Sequence, residues 1–140
     1  MKRLCLMLII PCLLFSLQVV AEQSAITPQT QGEVTFVSGG VGIDERDAMR
    51  ALQADYNLRL LFSVRGTGEY LSNVKITITD SRGKLFLESV SDGPMLFAKL
   101  KPGRYTITAD LDGQVIQRTV TVGGKQKMPL SFTWAEVNED

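Results

Sequence analysis

Several short stretches of this chain carry residue types that can do chemistry. Asp44, Glu45 and Asp47 crowd together ahead of an apolar run. Neighbouring carboxylates are the usual means of general acid–base hydrolysis. Asp110 and Asp112, in "DLDGQ", have the spacing of the first half of a calcium loop. "SGGVG", with Ser38, Gly39, Gly40 and Gly42, stands before a helical segment and offers backbone N–H groups to an anion. Arg118 sets a charge in phase with Ile116 and Val120, as a ligand-facing group would.

Each stretch also has a plainer explanation. Asp44 is a good helix N-cap, and Asp47 three residues later resembles a capping box. Glu45 and Asp47 suit the positive end of the helix dipole. The calcium pattern lacks its bidentate glutamate, because Thr121 holds that position, and Asp112-Gly113 reads as a type I′ hairpin turn. No Gly-Lys-Ser/Thr follows "SGGVG", so it is not a P-loop. Arg118 is either carried outward by a bulge or paired with an acid on the inner face.

Composition narrows the chemistry further. The chain has no histidine, which excludes from it a Ser-His-Asp or Cys-His mechanism and a histidine-bound zinc. Its two cysteines, Cys5 and Cys12, both lie in the first residues. Those residues read as a secretory signal peptide: Lys2 and Arg3, an apolar run to Leu17, then Val19 and Ala21 at a small-residue cleavage site. Cutting after Ala21 leaves a chain without thiols, held by its core rather than by disulfides. Lysine and arginine balance aspartate and glutamate at 15 each, so losing Lys2 and Arg3 leaves a small acidic excess. That gives no electrostatic reason to expect nucleic acid or an anionic membrane. The expected compartment is the periplasm, with the extracellular space as second choice, and no membrane span is expected after cleavage.

The elements that must position these residues follow from periodicity. Residues 22–32 are polar and read as a flexible leader. "EVTFV" is a short strand. Met49, Leu52 and Tyr56 recur at helical spacing, which predicts one helix over 44–55. The period then changes to two. "NLRLLFSV", "NVKITITD", "KLFLESV", "MLFAKL", "RYTITADL", "QVIQRTVTV" and "MPLSFTW" are strands separated by turn residues. The pattern predicts a mainly β, seven- to eight-stranded antiparallel Greek-key sandwich with one short helix. The organisation is a signal peptide (1–21), a leader (22–32), a strand, glycine-rich turn and helix (33–56), a sandwich (57–136) joined to them in one unit, and a tail (137–140).

"LSNVKITITDSRGK" and "LFAKLKPGRYTITADLDGQ" resemble the carboxypeptidase regulatory-like domain, a transthyretin-like sandwich. The first matches that family's "V-x-V-x-I-x-D-x-x-G" hairpin. In the second, Leu100, Pro102, Gly103, Tyr105, Ala109 and Gly113 fill "F-x-x-L-x-P-G-x-Y-x-V-x-A-x-x-x-G". The resemblance covers 57–134 and leaves 33–56 outside. It implies a non-catalytic companion domain in a fold grouped with carbohydrate-binding sandwiches. Hydroxyisourate hydrolases share a similar fold but carry histidines and a C-terminal "YRGS" that this chain lacks. Fold alone does not assign function.

The expectation is an exported, non-enzymatic binding or accessory module of the cell envelope, without cofactor or metal. Its partner is an envelope protein or a glycan. A carbohydrate-binding module is the alternative, and a carboxylate hydrolase at Asp44, Glu45 and Asp47 is a weaker one. Trp134 alternates with Leu130 and Phe132 and so faces the core, leaving Tyr56 and Tyr70 as the rings for an exposed surface. Leu61 shares a face with Arg59, Ser63 and Arg65 and is expected as an exposed apolar contact. The candidate binding surface is therefore Ser38, Gly39, Gly40, Gly42, Tyr56, Arg59, Leu61 and Tyr70.

Overall fold

The computed structural model describes residues 26–124 and 127–136. The expected signal peptide, its cleavage at Ala21 and the tail at 137–140 lie outside the described residues. No helix of the described residues is long and apolar enough to cross a membrane. In chain order the elements are β1 (Gln29–Gln31), β2 (Val34–Gly39), α1 (Gly42–Leu52), a 3₁₀ turn (Gln53–Asp55), β3 (Leu58–Val64), β4 (Lys75–Asp80), β5 (Leu85–Val90), β6 (Met95–Lys99), β7 (Gly103–Leu111), β8 (Gln114–Val122) and β9 (Met128–Trp134).

The strands form two sheets, in the orders β1-β2-β6-β3-β9 and β5-β4-β7-β8. Alternation of apolar and polar residues is the reason they face each other. Leu58, Leu60 and Phe62 of β3, Ile76 and Ile78 of β4, and Tyr105, Ile107 and Ala109 of β7 all enter one buried core. Phe62, Phe132 and Trp134 pack there at tilted or stacked angles, with centroids 6.1–6.4 Å apart. Trp134 does face the core, and its indole N–H donates to Gln114 O at 3.0 Å.

Three features differ from the sequence reading. The described residues hold nine strands, because β1 forms inside the stretch read as a leader. Gly32, at φ +56°, turns it back so that Gln29 meets Phe36. One strand pair is parallel: β9 runs beside β3 from Leu58↔Met128 to Val64↔Trp134, which the chain permits because β4 to β8 make the long crossover. The β7–β8 register runs without a bulge from Gly103↔Val122 to Leu111↔Gln114. Arg118 therefore stays on the inner face, pairs with no acid among the described residues, and lays its guanidinium 5.6 Å from the Phe132 ring centroid at the sheet edge.

Two turns anchor the ladders. Asp112 (φ +49°) and Gly113 (φ +89°) make the two-residue hairpin, and Asp110 Oδ1 accepts the Gly113 N–H at 2.8 Å. The carboxylate of the "calcium" pattern thus closes a turn. Tyr105 leaves the "KPG" corner, packs edge-on against Phe86 at 5.5 Å, and donates its hydroxyl to Lys101 O at 2.7 Å. Burial, then the Asp80 carboxylate, raises its phenol above the ordinary value of 10.0.

Tyr105→Ala is expected to cost about 3–5 kcal/mol, the usual range for truncating a buried ring. Tyr105→Phe keeps the ring and should lose only about 1 kcal/mol, one hydrogen bond. Because the folded phenol holds its proton to higher pH than the unfolded one, wild-type stability falls as pH rises from about 10. Urea melts at pH 7 and across pH 9–11 check both; the Phe variant should show the shallower alkaline loss.

Candidate functional site

Of the predicted site residues, Tyr56, Arg59 and Leu61 belong to the outer side of the first sheet, where that side is covered. Helix α1 lies across it and builds a second core from Val37, Met49, Tyr56, Met95 and Phe97, with Leu52 and Leu61 packed against them. Tyr56 is not an exposed ring. It retains 6% of its surface and packs against Phe97 at 6.3 Å. Burial, then the neighbouring Asp55 carboxylate, raises its phenol. Leu61 is not a free contact either; it is half-buried in the same cluster. Arg59 donates Nη1 to Gln53 Oε1 at 2.7 Å, and its buried Nε finds no partner. The period-two signal placed Arg59 and Leu61 on one face correctly. It gave no sign that a helix would cover that face.

The glycine-rich turn is the hinge of this layer. Gly39 and Gly93 approach so closely that a Cβ on Gly93 would collide with the Gly39 backbone. Ser38 Oγ accepts the Asp92 N–H at 2.8 Å across the same seam. Gly40, at φ +103°, then swings the chain into the helix. The helix begins at Gly42, earlier than its acids suggested, and its N-cap Val41 makes no side-chain cap bond. Asp44 is thus inside the first turn and is not the cap. Glu45 reaches back instead, and its Oε1 accepts the Gly40 N–H at 3.0 Å. Asp47 pairs with Arg50 at 3.2 Å on the exposed face.

The chemistry expected of this segment is therefore turned inward. The anion that the glycine turn could hold is supplied by Glu45 of the same chain. The three acids do not converge, and among the described residues no cluster of three or more His, Cys, Asp or Glu could hold a metal.

What stays open is the rim of the helix layer. Arg46 donates to Gly40 O at 3.4 Å and lays its guanidinium 5.1 Å from the centre of the Tyr70 ring. Ile43, one turn before Arg46 on the same helix face, is 68% exposed; Val41 is 57% exposed and Tyr70 44%. Gly42 sits between the two aliphatic residues. Of the predicted residues, the structure brings Gly42 and Tyr70 to this rim, buries Gly40 beside it, and keeps Tyr56, Arg59 and Leu61 away from it. Val41, Ile43 and Arg46 were missed, although two aliphatic residues beside a glycine turn were visible as a run that a buried helix face does not need.

At the far end of the layer lies an open cleft of about 640 Å³, bordered by Asp55, Tyr56, Lys99, Lys101 and Lys127. Its charges are partly matched internally, since Lys101 pairs with Glu33 at 3.2 Å. No protein-family model and no curated protein matches this sequence.

Glu45→Ala strands a part-buried N–H and is expected to destabilise the fold by about 1–3 kcal/mol. Asp44→Ala, by contrast, should stay within about 0.5 kcal/mol, as surface changes do. Gly93→Ala should be the most damaging of the three. Paired denaturant melts measure this order; an Asp44→Ala loss equal to that of Glu45→Ala would restore Asp44 as the helix cap.

Proposed function

We propose that this chain is an exported, non-enzymatic β-sandwich module that binds a protein of the cell envelope. The single observation that carries the reading is the rim at the start of α1. Val41, Ile43 and Tyr70 leave apolar surface in water beside Arg46, and aromatic, aliphatic and arginine side chains together are the composition of protein-binding patches. The likeness to carboxypeptidase regulatory-like domains, with their Greek-key connections, agrees with a companion role. So does the inward use of Glu45, which leaves the acid group at the helix start without a shared reaction centre.

Sugar binding draws less support. It needs flat exposed rings, whereas Tyr56 is buried against Phe97 and one neighbour of the Tyr70 ring is already the Arg46 guanidinium.

A photo-crosslinking residue placed at Ile43 in the full chain, expressed in its own cells, should give a discrete adduct with an envelope protein. The same residue at Asp112, at the tip of the β7–β8 hairpin, should give none. Arg46→Glu should reduce the Ile43 adduct about tenfold, the loss of about 1.4 kcal/mol. Equal adducts at both positions, or none at Ile43, would remove the rim as the binding surface. Cell fractionation with N-terminal sequencing checks export, with Glu22 as the expected first residue.

A further inference from the structure

Among the described residues the two sheets have four edges, and three carry devices that discourage strand pairing. β1 is only three residues long. β9 is interrupted by Pro129 near its start. β5 is bulged opposite Ile78 and Thr79, and the Gln31 side chain takes up both backbone groups of Glu88, accepting its N–H at 2.8 Å and donating to its C=O at 3.1 Å. Short strands, prolines, bulges and covering groups are how proteins blunt such edges.

β8 differs. It is nine residues long, free of proline, and paired to β7 without a bulge along its whole length. The two-residue hairpin makes Leu111↔Gln114 a hydrogen-bonded pair, so by alternation the backbone groups of Val115, Gln117, Thr119 and Thr121 point away from β7. Among the described residues no backbone hydrogen bond outside the ladder reaches β8. On the outer face Val115 is 58% exposed. The one charge on the strand is Arg118, without a carboxylate partner among the described residues.

The geometry points to β8 as an acceptor edge for an extended segment of another protein, with an acidic residue at the position facing Arg118. A strand added antiparallel would bond to Val115, Gln117, Thr119 and Thr121. Arg118 then falls in a non-hydrogen-bonded pair, where facing side chains come closest. The incoming strand would set its acid there and apolar residues two positions to either side, against Ile116 and Val120. The same charge works against a second copy of this chain. Pairing two β8 strands over their full length sets Arg118 opposite Arg118, and like charges directly opposed are destabilising. This inference concerns a different surface from the α1 rim and does not need it.

The test selects random nine-residue peptides, displayed on phage, against the full chain. Enriched peptides should alternate in pattern and share one acidic position. In hydrogen exchange followed by NMR, such a peptide should slow the amides of Val115, Gln117, Thr119 and Thr121 by about tenfold or more, as newly formed ladder bonds do. Thr119→Pro removes one outward N–H at a place where an edge strand tolerates proline, and should abolish binding. Arg118→Glu keeps the strand and should switch the shared acid to lysine or arginine, which keeps the test decisive if the proline variant does not fold. Three results would overturn the inference: no enriched peptide; peptides that bind both variants as they bind wild type; or outward amides already protected in the free chain in proportion to its concentration, which would mean self-pairing.

Discussion

Strand β6 is buried on both faces up to its last residue, the exposed Lys99. Met95, Leu96, Phe97 and Ala98 are all buried, and the rest of the fold follows from covering both sides of them. Leu96 and Ala98 point into the core between the sheets, while Met95 and Phe97 point the other way. Apolar area on both faces of a central strand must be removed from water twice, at roughly 25 cal/mol for each Å². The second sheet does this on one side. Helix α1 does it on the other, with Met49 and Tyr56 set against Phe97. The segment 33–56 is therefore a structural layer of the domain.

That layer docks only because two backbones come close together. Gly39 and Gly93 leave no room for a side chain between β2 and the turn before β6. Gly40 then redirects the chain, and Glu45 fixes the new direction by taking the Gly40 N–H. A charged group at a helix start usually suggests a ligand or a cap. Here its geometry makes it a brace between helix and strand. Asn57 plays the matching part at the other end of the layer. Its side-chain amide both accepts from Leu100 N at 2.9 Å and donates to Leu100 O at 2.6 Å, while its own carbonyl accepts from Met128 N at 2.8 Å. One residue thereby ties together the ends of β3, β6 and β9.

With its polar groups so used, the molecule keeps its unsatisfied surface at the periphery. The α1 rim exposes side chains, and the β8 edge exposes backbone. The binding proposed for each would read something different: side-chain shape at the rim, main-chain hydrogen bonds and one charge at the edge.

Much of this was legible in the residues. The strands from 57 onward, the Asp112-Gly113 hairpin, the inward Tyr105 and the core position of Trp134 all follow from local alternation and turn chemistry, which the neighbours in sequence enforce. The helix was legible as a helix, but not its start, because Asp44 is a good cap by type and only the fold-back at Gly40 opens the helix at Gly42, with Val41 as a cap without a side-chain bond and Glu45 on the Gly40 N–H. The leader concealed β1, since "QTQ" has no apolar signature and pairs only because Gly32 turns it onto β2. Arg59 and Leu61 show the sharpest division. Their common face was written in the sequence, yet whether that face met water or a helix depended on a contact between residues far apart in the chain. Local periodicity determined which side chains point together; only tertiary packing decided what they point at, because burial belongs to pairs of surfaces and no single strand carries it.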